Sequence, residues 1–353
     1  MILVRQWRRE VAAVVGTAML SVACVACGGS GSSGTAGPSG DSGGSLTLYN
    51  GQHEATTRAL VAGFEKKTGI DVKVRSGEGS ELANQVIAEG SASPADVIYT
   101  EDSPALTTVQ DKNLLAKVDR STLAAVPAKD SSGKGSWVGV TARARVMVYN
   151  PNLVDADRLP DSVLDLAKPA WRGKVGIEAT SGSLAAMVTA IRLRDGKSVA
   201  KRWLEGIKRN AKTFNSHDAI LKTVNSGQLA TGLMNNYYWY RLRDEVGKRA
   251  MHAKLHYFPP GDPGSLLNVS GAAALASAPH PKAAQRFLAY LVSPAGQKVI
   301  QDSDSYEYPL NPKVSANSAL TPLHKIHPLR TPLGKLGRGR NETLQLMRQV
   351  GLI

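Results

Sequence analysis

The chain has 353 residues, 42% hydrophobic and 20% charged, the profile of a soluble globular protein with one large two-lobed domain or two ordinary ones. Its formal net charge is +14, yet the basic residues are dispersed and no nucleic-acid-binding motif accompanies them, which excludes nucleic acid as the partner. Only two cysteines occur, Cys24 and Cys27, both near the start, so disulfides and thiolate-bound metals are excluded from the folded part.

Residues 1–27 read as a lipoprotein signal peptide. Arg5, Arg8 and Arg9 make a basic start, and Val11 to Ala26 is an apolar run of small residues too short for a membrane span. The run closes with Val25-Ala26-Cys27-Gly28-Gly29, and Val22-Ala23-Cys24 is a second candidate. Small residues before a cysteine, then a Gly/Ser tether, resemble a bacterial lipobox, although the usual Leu three positions earlier is missing. Lipid is expected on Cys27, where the tether begins, or on Cys24, and would anchor the protein at the outer side of the cell membrane. Plain secretion is the alternative, and the twin arginines lack the rest of a Tat motif. Without 1–27 the chain carries 40 basic and 28 acidic side chains, a charge of +12. Residues 28–45 are low-complexity Gly/Ser, a flexible linker that cannot bury a core.

From Leu46 onward strands and helices alternate. Leu46–Asn50 alternates apolar and polar residues as a strand does. Thr56–Thr68 places Leu60, Val61 and Phe64 on one helical face, and Gly69 stops it. Val72–Arg75 (strand), Ser80–Glu89 (helix with a Ser cap), Asp96–Tyr99 (strand), Ala105–Leu115 (helix) and Val146–Tyr149 (strand) follow. The middle repeats the pattern: strand Val175–Glu178, helices Leu184–Leu193, Lys201–Asn210 and Asp218–Asn225, strand Leu229–Met234, helix Tyr237–Lys248 and strand Leu255–Phe258. Strand Ala272–Ala276 and helices Lys282–Val292, Ala295–Gln301 and Asn341–Val350 complete the chain. This order predicts an α/β fold with a largely parallel sheet, and ligands in such sheets sit in loops beyond the carboxyl ends of strands.

Four post-strand loops carry chemistry: Asn50-Gly51-Gln52-His53-Glu54, Thr100-Glu101-Asp102, Thr180-Ser181-Gly182-Ser183 and Asn235-Asn236-Tyr237-Tyr238. Carboxylate and imidazole suit first-row metals. A phenol ionises near pH ~10, so it ligates at neutral pH only when a highly charged cation displaces its proton, and Fe3+ does this readily. Two phenolates from Tyr237 and Tyr238 and one carboxylate from Glu101 neutralise a trivalent ion, and His53 adds a neutral ligand. Ser181, Gly182 and Ser183 open a helix whose N-terminus suits an anion, and Asn235 adds an amide donor. Taken singly, each feature has a plainer reading: packing for the tyrosines (as for Trp239 and Tyr240), a polar loop for His53, a helix cap for Glu101. His252, His256, His280, His324 and His327 read as solvated. No nucleophile elbow, Walker loop, dinucleotide fingerprint or catalytic cysteine occurs.

In this order the loops resemble those of the ferric-iron-binding periplasmic proteins, the transferrin-like branch of ABC-transporter solute-binding proteins. The segments that carry the resemblance are YNGQH (49–53), PADVIYTED (94–102), ARARVMVYNP (142–151), PAWRGKVG (169–176), MNNYYWYRL (234–242), DPGSLLNVSGAAAL (262–275) and EYPL (307–310). The resemblance implies a two-lobed periplasmic-binding-protein-like (type II) fold with a hinge between lobes, the hinge strands lying near 143–150 and 266–271. Lobe 1 is expected over 46–142 and 271–318, and lobe 2 over 143–270 and 319–353. The family's ligands map onto His53, Glu101, Tyr237 and Tyr238, and its synergistic-anion contacts onto Ser181, Gly182, Ser183 and Asn235, the anion being phosphate or carbonate. Asp102 stands where relatives often have an anion-contacting Gln, and a further anion-contacting Asn falls near His217, with Asn215 nearby. Arg143 and Arg145 lie at the hinge, as carbonate contact or salt-bridge partners. The implied function is capture of ferric iron and delivery to an ABC permease by a monomer. The alternative is a binding protein of the same fold for an organic ligand: a phosphonate, polyamine or thiamine. An enzyme built from His53, Glu101 and Ser181 is disfavoured, because no triad motif accompanies them.

Overall fold

The computed structural model describes residues 44–353. The expected signal segment, with Cys24 and Cys27, and the tether up to residue 43 lie outside the described residues. Among the described residues no helix is long and apolar enough to cross a membrane.

The first part of the chain forms β1 Ser45–Gly51, α1 Glu54–Thr68, β2 Asp71–Ser76, α2 Gly79–Glu89, β3 Val97–Thr100, α3 Ser103–Asp111, the single turn α4 Arg120–Leu123 and β4 Val138–Tyr149. Next come β5 Val175–Ile177, α5 Gly182–Asp195, α6 Lys197–Asn210, β6 Ala211–Thr213, α7 His217–Asn225, β7 Thr231–Asn235, α8 Asn236–Val246, β8 Lys254–His256 and β9 Leu267–Ala274. The chain ends with α9 Pro281–Val292, α10 Pro294–Asp302, β10 Tyr308–Pro309, α11 Leu323–Ile326 and α12 Leu333–Gln349.

Local signals explain most boundaries. Gly69 takes the left-handed conformation (φ 68°) and donates its N–H to the Glu65 carbonyl, closing α1 over the buried Leu60, Val61 and Phe64. Helix α2 is capped by the Glu78 side chain, which accepts from the Ser80 N–H, so the acid caps and the expected Ser80 does not. Helix α3 stops before the expected Leu115, because Asn113 adopts φ 58° and Leu115 bridges to Leu275 instead. Helix α6 buries Ala200, Trp203, Leu204 and Ile207 and leaves its lysines and arginines to solvent.

The sheet is mixed, correcting the expectation of a largely parallel one. Its strands run β2-β1-β3-β9-β4-β7-β5-β6, with β8 and β10 also paired to β4. The triplets β2-β1-β3 and β7-β5-β6 are parallel, whereas β9 is antiparallel to β3 and β4, and β4 is antiparallel to β7. Strand β4 is the seam. Residues 138–144 pair with β9, and residues 145–149 pair with β7 and β8. All its residues are buried, Arg143 and Arg145 included. The expected strands Val146–Tyr149 and Ala272–Ala276 therefore captured only parts of β4 and β9.

Helix α12 starts eight residues before the expected Asn341. It packs on both α3 and α5. A β-carbon on Gly337 would lie 2.4 Å from the Thr107 side chain, and the Thr189 and Thr343 hydroxyls are hydrogen-bonded at 2.8 Å. Helix α12 is therefore tied to the β2-β1-β3 side through α3 and to the β7-β5-β6 side through α5.

Candidate metal centre

His53 occupies the N-cap position of α1 but makes no capping bond, and its imidazole is largely buried with Nδ1 unpartnered. Its backbone N–H donates to Gln52 Oε1 at 2.8 Å. Glu101 follows β3, with its N–H bonded to the Gly51 carbonyl at 3.2 Å. Asp102 sits at the N-cap of α3, again without a capping side-chain bond. Tyr237 and Tyr238 lie in the first turn of α8. That turn is fixed to β4 by Asn236, whose Oδ1 accepts from the Ala144 N–H at 2.9 Å.

Three of the four expected ligands meet directly. His53 Nε2 lies 3.0 Å from Glu101 Oε1, and the Tyr237 hydroxyl donates to the same oxygen at 3.5 Å. Ligand atoms adjacent in an octahedron with bonds of about 2.1 Å are about 3 Å apart, so this spacing fits one shared ion. The His53 and Tyr237 rings meet edge-on at 4.8 Å. Tyr237 and Tyr238 lie 4.3 Å apart and are inclined by only 34°, so adjacent residues that a regular helix would splay are brought together. Tyr237 is buried and Tyr238 half-buried. Trp239 and Tyr240 point away into packing, with Trp239 Nε1 on the Ala253 carbonyl and Tyr240 stacked on Tyr306.

The structure adds Glu307, which the sequence reading used only as part of a motif. Ligand atoms of His53, Glu101 and Glu307 all lie within 4.8 Å of one another. Glu307 is 2% exposed, and its Oε2 accepts from Gln52 Nε2 at 3.1 Å and from the Thr141 hydroxyl, while its Oε1 lacks a hydrogen bond. Arg143, fully buried, binds Asp102 Oδ1 at 2.7 Å and lies 3.7 Å from both Glu101 and Glu307. Arg145, two residues on and so on the same face of β4, donates to Ser183 Oγ at 2.8 Å.

The anion residues are more divided. The Ser181 hydroxyl caps α5, accepting from the Leu184 N–H at 3.3 Å and donating to the Glu178 carbonyl at 2.9 Å. Asp102 Oδ2 reaches across to α5 and lies 2.9 Å from where a β-carbon on Gly182 would be. Asn235 is buried at the end of β7 with its Oδ1 unpartnered. His217 is buried behind the tyrosines, its Nδ1 2.9 Å from Glu178 and its ring 5.0 Å from that of Tyr238, whereas Asn215 is exposed. Of the other histidines, His256 departs from expectation: it is half-buried, its Nε2 3.1 Å from the Pro160 carbonyl.

Burial sets the protonation states. Glu101 is pushed up to about 7, by desolvation first and then by Asp102 and Glu307, against the lowering effect of Arg143. His53 is pushed down to about 3 by desolvation and by Arg241 and Arg143, so it is neutral at physiological pH. Both phenols are raised above their ordinary value, chiefly by burial and then by Glu101. Desolvation lowers Arg145 to about 10, which leaves it cationic.

His53, Glu101 and Asp102 open on a cavity of about 890 Å³ that also reaches Ser181 and Gly182. Its lining carries the carboxylates of Glu54, Glu78, Glu81, Glu101, Asp102 and Glu178 against the single arginine Arg340. A basic protein thus has an acidic approach to this site, which concentrates cations there.

The chain is similar to known proteins over most of its length. The family model for bacterial extracellular solute-binding proteins matches residues 50–298. The Fe(3+)-binding periplasmic protein of Serratia marcescens is 35% identical over 308 residues, covering 87% of this chain and 90% of its own. Iron-bound HitA from Pseudomonas aeruginosa superposes with a TM-score of 0.84 at 43% identity, over 87% of this chain and 99% of that one. The Trichodesmium protein FutA, solved with iron and citrate, gives a TM-score of 0.77 at 32% identity, over 88% and 100%. The fold is the two-lobed type II binding-protein fold, and the chain belongs to the bacterial extracellular solute-binding protein family, in its ferric-iron-binding periplasmic branch.

Proposed function

We propose that this protein captures ferric iron outside the cytoplasm and delivers it to an ABC importer, acting as a carrier and not as an enzyme. His53, Glu101, Tyr237 and Tyr238 are the proposed ligands. One observation carries the reading: His53, Glu101 and Tyr237, from three separate loops, converge at ligand spacing beside an acid-lined cavity, with the Tyr238 ring 4.3 Å from that of Tyr237. Phenolate, carboxylate and imidazole form a hard donor set suited to Fe3+. The same acidic lining disfavours a phosphonate, and relatives named for ferric iron favour the metal over thiamine or a polyamine.

The lobes are taken as 46–142 with 271–318 and 143–270 with 319–353. The exchange of partners along β4 between Ala144 and Arg145, two residues past the first boundary, supports a division near that point, and α12 packs on both sides of it. His53 and Glu101 then belong to lobe 1 and the tyrosines to lobe 2, so one ion bridges both lobes and holds the cleft closed. Phosphate or carbonate suits the start of α5 and Asn235 in kind, and Asp102 already lies beside that position. A lipid on Cys27 or Cys24 would hold this monomer at the membrane surface.

Elemental analysis tests the reading. The protein loaded with ferric citrate and desalted is expected to retain one iron per chain, and the Tyr237→Phe/Tyr238→Phe variant none. Equal iron in both would refute the ligand assignment, and stabilisation by thiamine, a polyamine or a phosphonate without iron would favour the organic ligand.

A further inference from the structure

We propose that the Asp102 carboxylate is the resident anion of this centre, so that ferric iron binds without phosphate or carbonate from solution. This rests on the ferric reading above. The first support is position. Asp102 makes no capping bond within its own helix, and its side chain instead spans from Arg143, at 2.7 Å, to the start of α5, where Oδ2 lies 2.9 Å from the β-carbon position of Gly182. Helix α5 has 14 residues, and its N-terminal N–H groups attract negative charge. Nearby groups that would greet an incoming anion are partly engaged: the Ser181 hydroxyl in capping, and Arg145 Nη1 on Ser183 Oγ, with Arg145 Nε left unpartnered.

The second support is charge. With iron bound, two phenolates and Glu101 balance Fe3+. Of the two fully buried cations, Arg143 faces both Asp102 and Glu307, and Arg145 meets Ser183, so the two acids match the two cations in number. The buried cluster is then neutral with nothing added. The half-buried Arg241, over the Tyr237 ring, is matched by the half-buried Glu178, whose charge acts on Arg145. A divalent anion would leave surplus negative charge in a desolvated site, which is costly. Replacing Asp102 by Asn reverses this, leaving one buried cation in need of a partner.

The test supplies iron as ferrous chloride oxidised by CO2-free oxygen, in carbonate-free and phosphate-free buffer, and reads the tyrosinate-to-iron absorption and the bound phosphorus. The wild type is expected to colour equally with and without added phosphate or bicarbonate and to retain no phosphate. Asp102→Asn is expected to lose the colour in chloride alone and regain it with either anion. A wild type that needs an added anion, or that retains one phosphate per iron, overturns the proposal without needing the variant. A variant that colours fully in chloride also overturns it. A wild type colourless in every buffer overturns the ferric reading itself.

Discussion

Replacing Tyr237 by Phe removes one phenol and little else. Its hydroxyl bonds only Glu101, at the 3.5 Å limit of a hydrogen bond, so the folding cost should stay below about 1 kcal/mol. The effect on iron is larger and can be counted in protons. Burial holds both phenols protonated at neutral pH, His53 at about 3 is already neutral, and Glu101 at about 7 is partly protonated. Iron must displace these protons from the oxygens it binds, so affinity falls as pH falls. Two phenols and the protonated fraction of Glu101 give about 2.9 protons released at pH 6 and about 2.1 at pH 8. At fixed free ferric ion those numbers are the slopes of log affinity against pH. In Tyr237→Phe both should fall by about one, to roughly 1.9 and 1.1, with the step near pH 7 retained. Competition against a chelator of known speciation measures the slopes across this range. Equal slopes in wild type and variant would refute the account of Tyr237 as a phenolate ligand, and a wild-type slope without a step near pH 7 would refute the role of Glu101.

Glu307→Gln should lower the Glu101 value, because Glu307 is one of the charges that raise it, and so move the step in proton release to lower pH. It also removes a carboxylate facing the buried Arg143, at a cost of about 1–3 kcal/mol in a denaturant melt. Gly337→Ala places a β-carbon against Thr107 at the crossing of α12 and α3 and should cost about 1–3 kcal/mol, while slopes of iron affinity against pH stay unchanged.

Much of the site was legible because its chemistry lies in short segments that follow strands. His53, Glu101 and the Tyr237–Tyr238 pair each come just after a segment that reads as a strand, and strand-end loops face the ligand in α/β sheets. Glu307 was not legible as a site residue. It precedes a two-residue strand late in the chain, and only tertiary packing brings it beside Glu101. Strand β4 was read from Val146 because the branched apolar run begins there, whereas 142–145 alternates Ala and Arg. Where β4 changes partners the arginine face is buried, and both arginines meet acids or hydroxyls there. The antiparallel run of β9 was missed because a strand's two-residue period is the same in either direction. The start of α12 was missed because LGKLGRGR looks like a loop, whereas Gly337 is where the helix backbone approaches Thr107 too closely for a side chain.

The visible absorption spectrum on titrating apoprotein with ferric iron tests the central claim most directly. A tyrosinate-to-iron band should grow to saturation at one equivalent, weaken when either Tyr237 or Tyr238 is replaced by Phe, and vanish when both are. A colourless protein at saturation, or a band that survives the double replacement, would contradict it.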